Sequence, residues 1–228
     1  MNIYELVGVI IGDGHVLYNP SKNQYRLEIY GNSKEDWEYY EKIADFIESL
    51  TKRRPKIRKR YLRDDINGLI LVTHNKGFVE YLINELGLPY GNKTYTVTIP
   101  RKFTDWKFSK DIIRGIFETD GSLYFSRIKG HKYPKYPRIT IRSVSAPLIN
   151  QLKNILNKRG FDVHTFKDSD KLNDKLYVSE YKKFNKWKKE IGFSHPKTIS
   201  KILLREKLGH YIQKISYAER LKILSNSI

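Results

Sequence analysis

Two apolar runs, half a chain apart, each stop at an Asp-Gly pair: Leu6-Val-Gly-Val-Ile-Ile-Gly-Asp13-Gly14 and Ile113-Arg-Gly-Ile-Phe-Glu-Thr-Asp120-Gly121. Neither run alternates, and each reads as a helix that ends at its Asp-Gly. Residues 15–30 then alternate as a hairpin, with Val16, Leu27 and Ile29 on one side and Arg26, Glu28 and Tyr30 on the other. The next helix is expected to be capped by Ser33, carrying Trp37, Tyr40, Ile43, Ala44, Ile47 and Leu50 at helical spacing. Strands near 55–62 and 68–74 follow, then a helix over about 77–86 that stops at Gly87.

The second run is followed by the same order of elements. Strands near 122–128 and 137–142 precede a helix that starts at Ser145, with Pro147 in its first turn. Strands near 162–167 and 174–179 lead into a helix over about 181–191 that ends at Gly192, and residues 197–225 add C-terminal helix. The two aspartates are 120 − 13 = 107 residues apart, and Leu69-Ile-Leu-Val72 meets Leu176-Tyr-Val-Ser179 at the same offset. Glu85-Leu-Gly87 meets Glu190-Ile-Gly192 at 105. The pattern therefore predicts an α+β chain of two αββαββα half-domains related by a pseudo-twofold axis. Their expected extents are 1–99 and 110–228, joined by a linker over 100–109.

Composition narrows the partner. The chain has 228 residues, 39% of them hydrophobic, with 43 Lys and Arg against 25 Asp and Glu for a formal charge of +18. Such a balance points to an acidic polymer, nucleic acid first. The apolar runs are too short to span a bilayer, and no signal-peptide pattern opens the chain, so no membrane partner and an intracellular, cytoplasmic location are expected. There is no Cys, which excludes disulfides and zinc-thiolate sites, and the six His show no metal-ligand spacing.

The repeated aspartate carries the candidate chemistry. A carboxylate in the last turn of a helix opposes the helix dipole, and a second one brought beside it by symmetry adds repulsion. A divalent cation offsets both, and hard oxygen ligands suit Mg²⁺. Gly14 and Gly121 are expected as chain-reversing residues just beyond the helix ends. Gly8 and Gly12, and Gly115 and Thr119, are small residues four apart that let the two helices touch.

Strand alternation also sorts a candidate DNA surface. Arg26, Glu28 and Tyr30 share one face, as do Arg138, Thr140 and Arg142, while Leu27, Ile29, Ile139 and Ile141 face the core. The run Lys52 to Arg63 puts Lys56, Arg58 and Arg60 together. Basic β-ribbons of this kind enter the major groove and read base edges, with neighbouring lysines on phosphates. The long loop Arg127 to Tyr136, including Lys129, His131 and Lys132, is expected to wrap the duplex, with Lys22 and Tyr25 doing so in the first half.

Both apolar runs resemble the signature of the LAGLIDADG homing endonucleases, in the monomeric form with two motifs. Leu86-Gly-Leu-Pro-Tyr-Gly-Asn-Lys93 and Ile191-Gly-Phe-Ser-His-Pro-Lys197 resemble segments that follow the last strand pair in archaeal and intein-borne members. The resemblance implies saddle-shaped antiparallel sheets packed through the motif helices. It makes Asp13 and Asp120 the metal ligands and catalytic residues, helped by the carbonyls of Gly12 and Thr119. Ile11 and Glu118, at the sixth motif position, are expected to be structural. A basic or amide side chain near the scissile phosphate is implied too; the aligned strand ends hold Gly31 and Asn32 in one half and Arg142 and Ser143 in the other, and Lys175 is the candidate catalytic lysine. The implied activity is Mg²⁺-dependent cleavage of both strands of a long specific DNA site across the minor groove, leaving short 3′ overhangs. Mn²⁺ is expected to substitute, and Ca²⁺ to bind without supporting cleavage. The alternatives on the same fold are a maturase that binds intron RNA and a DNA-binding regulator without cleavage.

Overall fold

The computed structural model describes residues 1–62, 65–130, 132–167 and 174–226; Arg63 and His131 lie outside the described residues. The first motif forms α1 (Ile3–Asp13) and the second forms α4 (Trp106–Asp120). Side chains one residue before each helix cap it: Asn2 accepts from the Glu5 amide at 2.9 Å and Asp105 from the Lys107 amide at 3.0 Å. After α1 come β1 (Gly14–Asn19), β2 (Gln24–Asn32), α2 (Trp37–Thr51), β3 (Lys56–Leu62), β4 (Asp65–Thr73) and α3 (Lys76–Glu80). After α4 come β5 (Gly121–Ser126), β6 (Tyr136–Ser143), α5 (Ala146–Lys158), β7 (His164–Lys167), β8 (Asp174–Ser179) and α6 (Tyr181–Glu190). Two antiparallel sheets result, ordered β1-β2-β4-β3 and β5-β6-β8-β7, so the two halves have one topology.

The halves meet through their motif helices. A Cβ built on Gly8 would lie 2.1 Å from the Ile112 carbonyl oxygen, and one on Gly115 would lie 2.1 Å from that of Glu5. Only glycine lets the two backbones come this close. Leu6, Val9 and Ile10 of α1 and Ile112, Ile113 and Ile116 of α4 are fully buried in one apolar core that continues under both sheets. Arg114 ties the pair together, donating to Glu5 of α1 at 3.0 Å and pairing with Asp111 at 2.6 Å.

Several local expectations need correction. Gly14 and Gly121 are not left-handed: φ is −86° and −98°, and each opens a strand. They are needed for space instead, since a Cβ would fall 2.7 Å from the Ile10 oxygen and 2.2 Å from the Phe117 oxygen. The helix-ending glycines are Gly87 and Gly192, with φ of +73° and +78°. Ser33 does not cap α2. Its amide bonds the Asn67 carbonyl at 2.8 Å and Asp36 occupies the cap position, while Trp37 and Leu50 are exposed rather than core. Ser145 does cap α5, accepting from the Leu148 amide. The third helix of the first half is short and continues as a wide turn over Tyr81–Glu85. The C-terminal region is two helices, α7 (Pro196–Leu208) and α8 (Tyr217–Ser225), broken at Gly209 with φ of +70°. No helix among the described residues is long and apolar enough to cross a membrane.

Candidate active site and nucleic-acid interface

Because α1 and α4 touch and both end at their aspartates, Asp13 and Asp120 line one cavity of about 760 Å³ at the foot of the helix pair. Gly12 faces the end of α4, where a Cβ would lie 2.1 Å from the Thr119 hydroxyl oxygen and 3.2 Å from Oδ2 of Asp120. Burial pushes the Asp13 carboxyl up to about 7, and Asp120 and Asp36 add repulsion against the opposing pull of Lys197 and Lys93. Burial likewise raises Asp120 to about 6, with Lys93 opposing. Two half-buried carboxylates that repel one another over a shared cavity are a hard-oxygen donor set that a divalent cation fits. Among the described residues no group of three or more His, Asp or Glu side chains could hold a metal on its own. Further ligands would have to be backbone oxygens, water or substrate.

Lys93, not Lys175, is the lysine at the carboxylates. It lines the same cavity, and its Nζ donates to the Ile11 carbonyl at 2.6 Å. Burial holds its ammonium below the usual range, although both aspartates pull the other way. Lys175 lies on β8, in register with Arg142 of β6 and Phe166 of β7, and does not line the cavity. Strand alternation cannot find Lys93, which reaches the site from a loop. The available signal was the matched pair of segments ending in Lys93 and Lys197. The second acts on Asp13 through its charge while paired to another acid: Lys197 Nζ pairs with Asp36 at 2.7 Å, beside His195, whose Nε2 is 3.1 Å from the same oxygen.

Glu118 is buried and structural, accepting from the Ser194 amide at 2.7 Å and the Thr198 hydroxyl at 2.8 Å. Ile11 is likewise in the core. At Gly31 a side chain would displace the Tyr40 ring, since a Cβ would lie 2.6 Å from the Tyr40 hydroxyl oxygen. That hydroxyl is buried without a hydrogen-bond partner among the described residues, and the Asp13 and Asp36 charges help burial hold it un-ionised.

Register then assigns the sheet faces, since directly opposed residues point the same way. In the first sheet Glu28 opposes Val72, which opposes Lys56, and Tyr30 opposes Ile70, which opposes Arg58. Arg26, Glu28, Tyr30, Asn32, Lys56, Arg58 and Arg60 therefore share the face away from the core. Arg26 pairs with Glu28 at 3.2 Å, the Tyr30 hydroxyl donates to Glu28 at 2.7 Å, and Arg60 lies over the Tyr30 ring. Lys22 is exposed at the hairpin turn. In the second sheet Arg138, Thr140, Arg142 and Lys175 share the outer face, and Arg127, Lys129 and Lys132 are exposed in the β5–β6 loop. Two candidates do not reach a ligand surface. Tyr25 points with Leu27 into the core, edge-on to Tyr18. Thr140 has the right parity but is covered on its central strand, between Ser122 and Tyr177.

This geometry is the LAGLIDADG homing-endonuclease fold in its single-chain, two-half form. A structure of I-DmoI in complex with DNA and Mn matches at a TM-score of 0.56 and 19% identity, over 84% of this chain and 96% of that one. I-SmaMI bound to uncleaved DNA with calcium matches at 0.55 and 11%, over 98% and 96%. The N-terminal LAGLIDADG domain of WhiA matches at 0.54 and 14%, over 84% and 81%. No protein-family profile and no curated protein matches the sequence itself.

Proposed function

We propose that the protein is a site-specific double-strand DNA endonuclease of the homing type, acting as a monomer in the cytoplasm with Mg²⁺. One observation carries this reading: Asp13 and Asp120, from the two copies of the repeat, line one cavity that Tyr30 of the first sheet and Arg142 of the second also line. The solved structures with the same fold include complexes with DNA and Mn or Ca. The two half-domains are assigned to 1–99 and 110–228, joined through 100–109.

In this reading Asp13 and Asp120, with the carbonyls of Gly12 and Thr119, hold divalent ions. Such ions supply Lewis-acid activation of phosphate and water. Lys93 Nζ, fixed by the Ile11 carbonyl, positions water and offsets negative charge at the scissile phosphate. Arg142 lines the cavity from the second half, and Lys175 stands beside it as a phosphate contact. Arg26, Tyr30, Lys56, Arg58, Arg60 and Arg138 read the major groove on either side, leaving the central minor groove over the carboxylates. Lys22, Arg127, Lys129 and Lys132 hold the flanking backbone. Cuts on both strands across that minor groove leave short 3′ overhangs.

The test is to incubate the protein with Mg²⁺ and a plasmid library of genomic inserts, then sequence the ends. Discrete double-strand breaks with short 3′ overhangs are expected, with Mn²⁺ substituting and Ca²⁺ supporting binding alone. Specific DNA binding without breaks in any divalent ion would contradict the nuclease reading.

A further inference from the structure

At the opposite end of α4 from Asp120, the helical layer carries a second basic groove. It is about 490 Å³ in volume and is lined by Trp106, Lys110, Lys158, Arg159, Lys186 and Lys189, with Glu190 its one acid. Trp106 is fourteen residues from Asp120 along one helix, so the groove lies about 20 Å from the carboxylates. It is built on α4, α5 and α6, not on the sheet faces that carry the candidate DNA readers.

Lys186 is within 3.8 Å of Glu190, but Lys110, Lys158, Arg159 and Lys189 make no ion pair among the described residues. Lysines at the ends of α5 and α6 complement those helix dipoles, which accounts for part of the charge. That explanation does not cover Lys110, which lies in the second turn of α4 and far from its C-terminal end. Two of the cations also pack against aromatic rings, the groove-lining Trp106 and the buried Phe161. The Arg159 guanidinium lies 4.8 Å from the Trp106 ring centre, and Lys186 Nζ 5.0 Å from that of Phe161. A guanidinium plane set against an indole is a surface on which an unpaired base stacks.

We infer that this groove binds the phosphodiester backbone of a single nucleic-acid strand, separate from any duplex held on the sheets. RNA and single-stranded DNA share that chemistry, and the experiment includes both. Fluorescein-labelled 20-nucleotide RNA, its DNA equivalent and a 30-base-pair duplex are titrated with the full chain by anisotropy at several salt concentrations. The variant K158E/R159E/K189E changes three exposed side chains, and K42E/K214E/K222E is its charge-matched control away from the groove.

The groove variant should bind at least one of the strands tenfold or more weaker, with the salt slope reduced by about 2, while duplex binding stays within threefold of the control. R159A alone should weaken strand binding several-fold without changing the slope by more than about 1. A strand bound by RNA only, or by DNA only, identifies the source. The proposal is overturned if neither strand binds the wild type, if both variants weaken strand binding equally, or if duplex and strand fall together. Because the sheet faces are untouched, each of these results leaves the endonuclease test independent.

Discussion

At the scale of single residues, Lys93 and Lys201 show how burial sets the chemistry of a lysine in opposite settings. Lys93 is desolvated but faces two carboxylates and a carbonyl, an arrangement that a neutral side chain cannot replace. K93M should lower cleavage by about 10²–10⁴-fold while DNA affinity, read by mobility shift in Ca²⁺, stays within a few-fold; equal losses in both would make Lys93 a binding residue only. Lys201 on α7 donates to the Leu123 carbonyl at 3.1 Å, and burial, with Arg220 and Lys197 nearby, brings its ammonium down to about 8. The unfolded chain then holds the extra proton between about pH 8 and 10.4, so this group's contribution to stability rises with pH across that window. K201M should therefore be more stable than wild type at pH 7 by about 1–3 kcal/mol, a gap that closes towards pH 10.5 in urea unfolding. A gap that does not depend on pH would contradict this account. The carboxylates were legible because they recur in a repeated pattern. Lys93 was not, because its place depends on where a loop folds back over the motif helix.

At the scale of elements, backbone contact between α1 and α4 is the feature that brings the aspartates together. G8A would put a methyl group 2.1 Å from a carbonyl oxygen, and separating the helices disturbs packing along their whole length. The expected cost is at least 3 kcal/mol. G77A, on α3, meets nothing closer than 3.8 Å and should be neutral or stabilising by up to about 1 kcal/mol. Urea midpoints for the two variants check the contrast, and similar values would contradict the touching-helix geometry. Element order and strand faces were readable from periodicity, since Leu27 and Ile29 alternate with Arg26, Glu28 and Tyr30. The misreadings have physical causes. Tyr25 follows the alternation into the core despite its hydroxyl, Thr140 is covered by neighbours on a central strand, and α2 starts after Asp36, whose carboxylate is held by His195 and Lys197 of the other half and makes no cap bond.

At the scale of the whole molecule, the repeat is symmetric in topology and asymmetric in what fastens it. The C-terminal helices have no counterpart in the first half and reach back to it: the Tyr217 hydroxyl donates to Glu38 at 2.9 Å and Lys197 pairs with Asp36. Sequence placed helix there but not this long-range clasp, because contacts 160 to 180 residues apart leave no local pattern. The clasp adds a second join between the halves to the α1–α4 contact that brings the aspartates to a common cavity. Once a cleaved DNA site is in hand, the direct test compares wild type, D13N and D120N on that site in Mg²⁺, with affinity measured in parallel. Each substitution alone is expected to reduce double-strand cleavage by at least about 10³-fold with binding retained; full cleavage by either variant would contradict the shared two-carboxylate site.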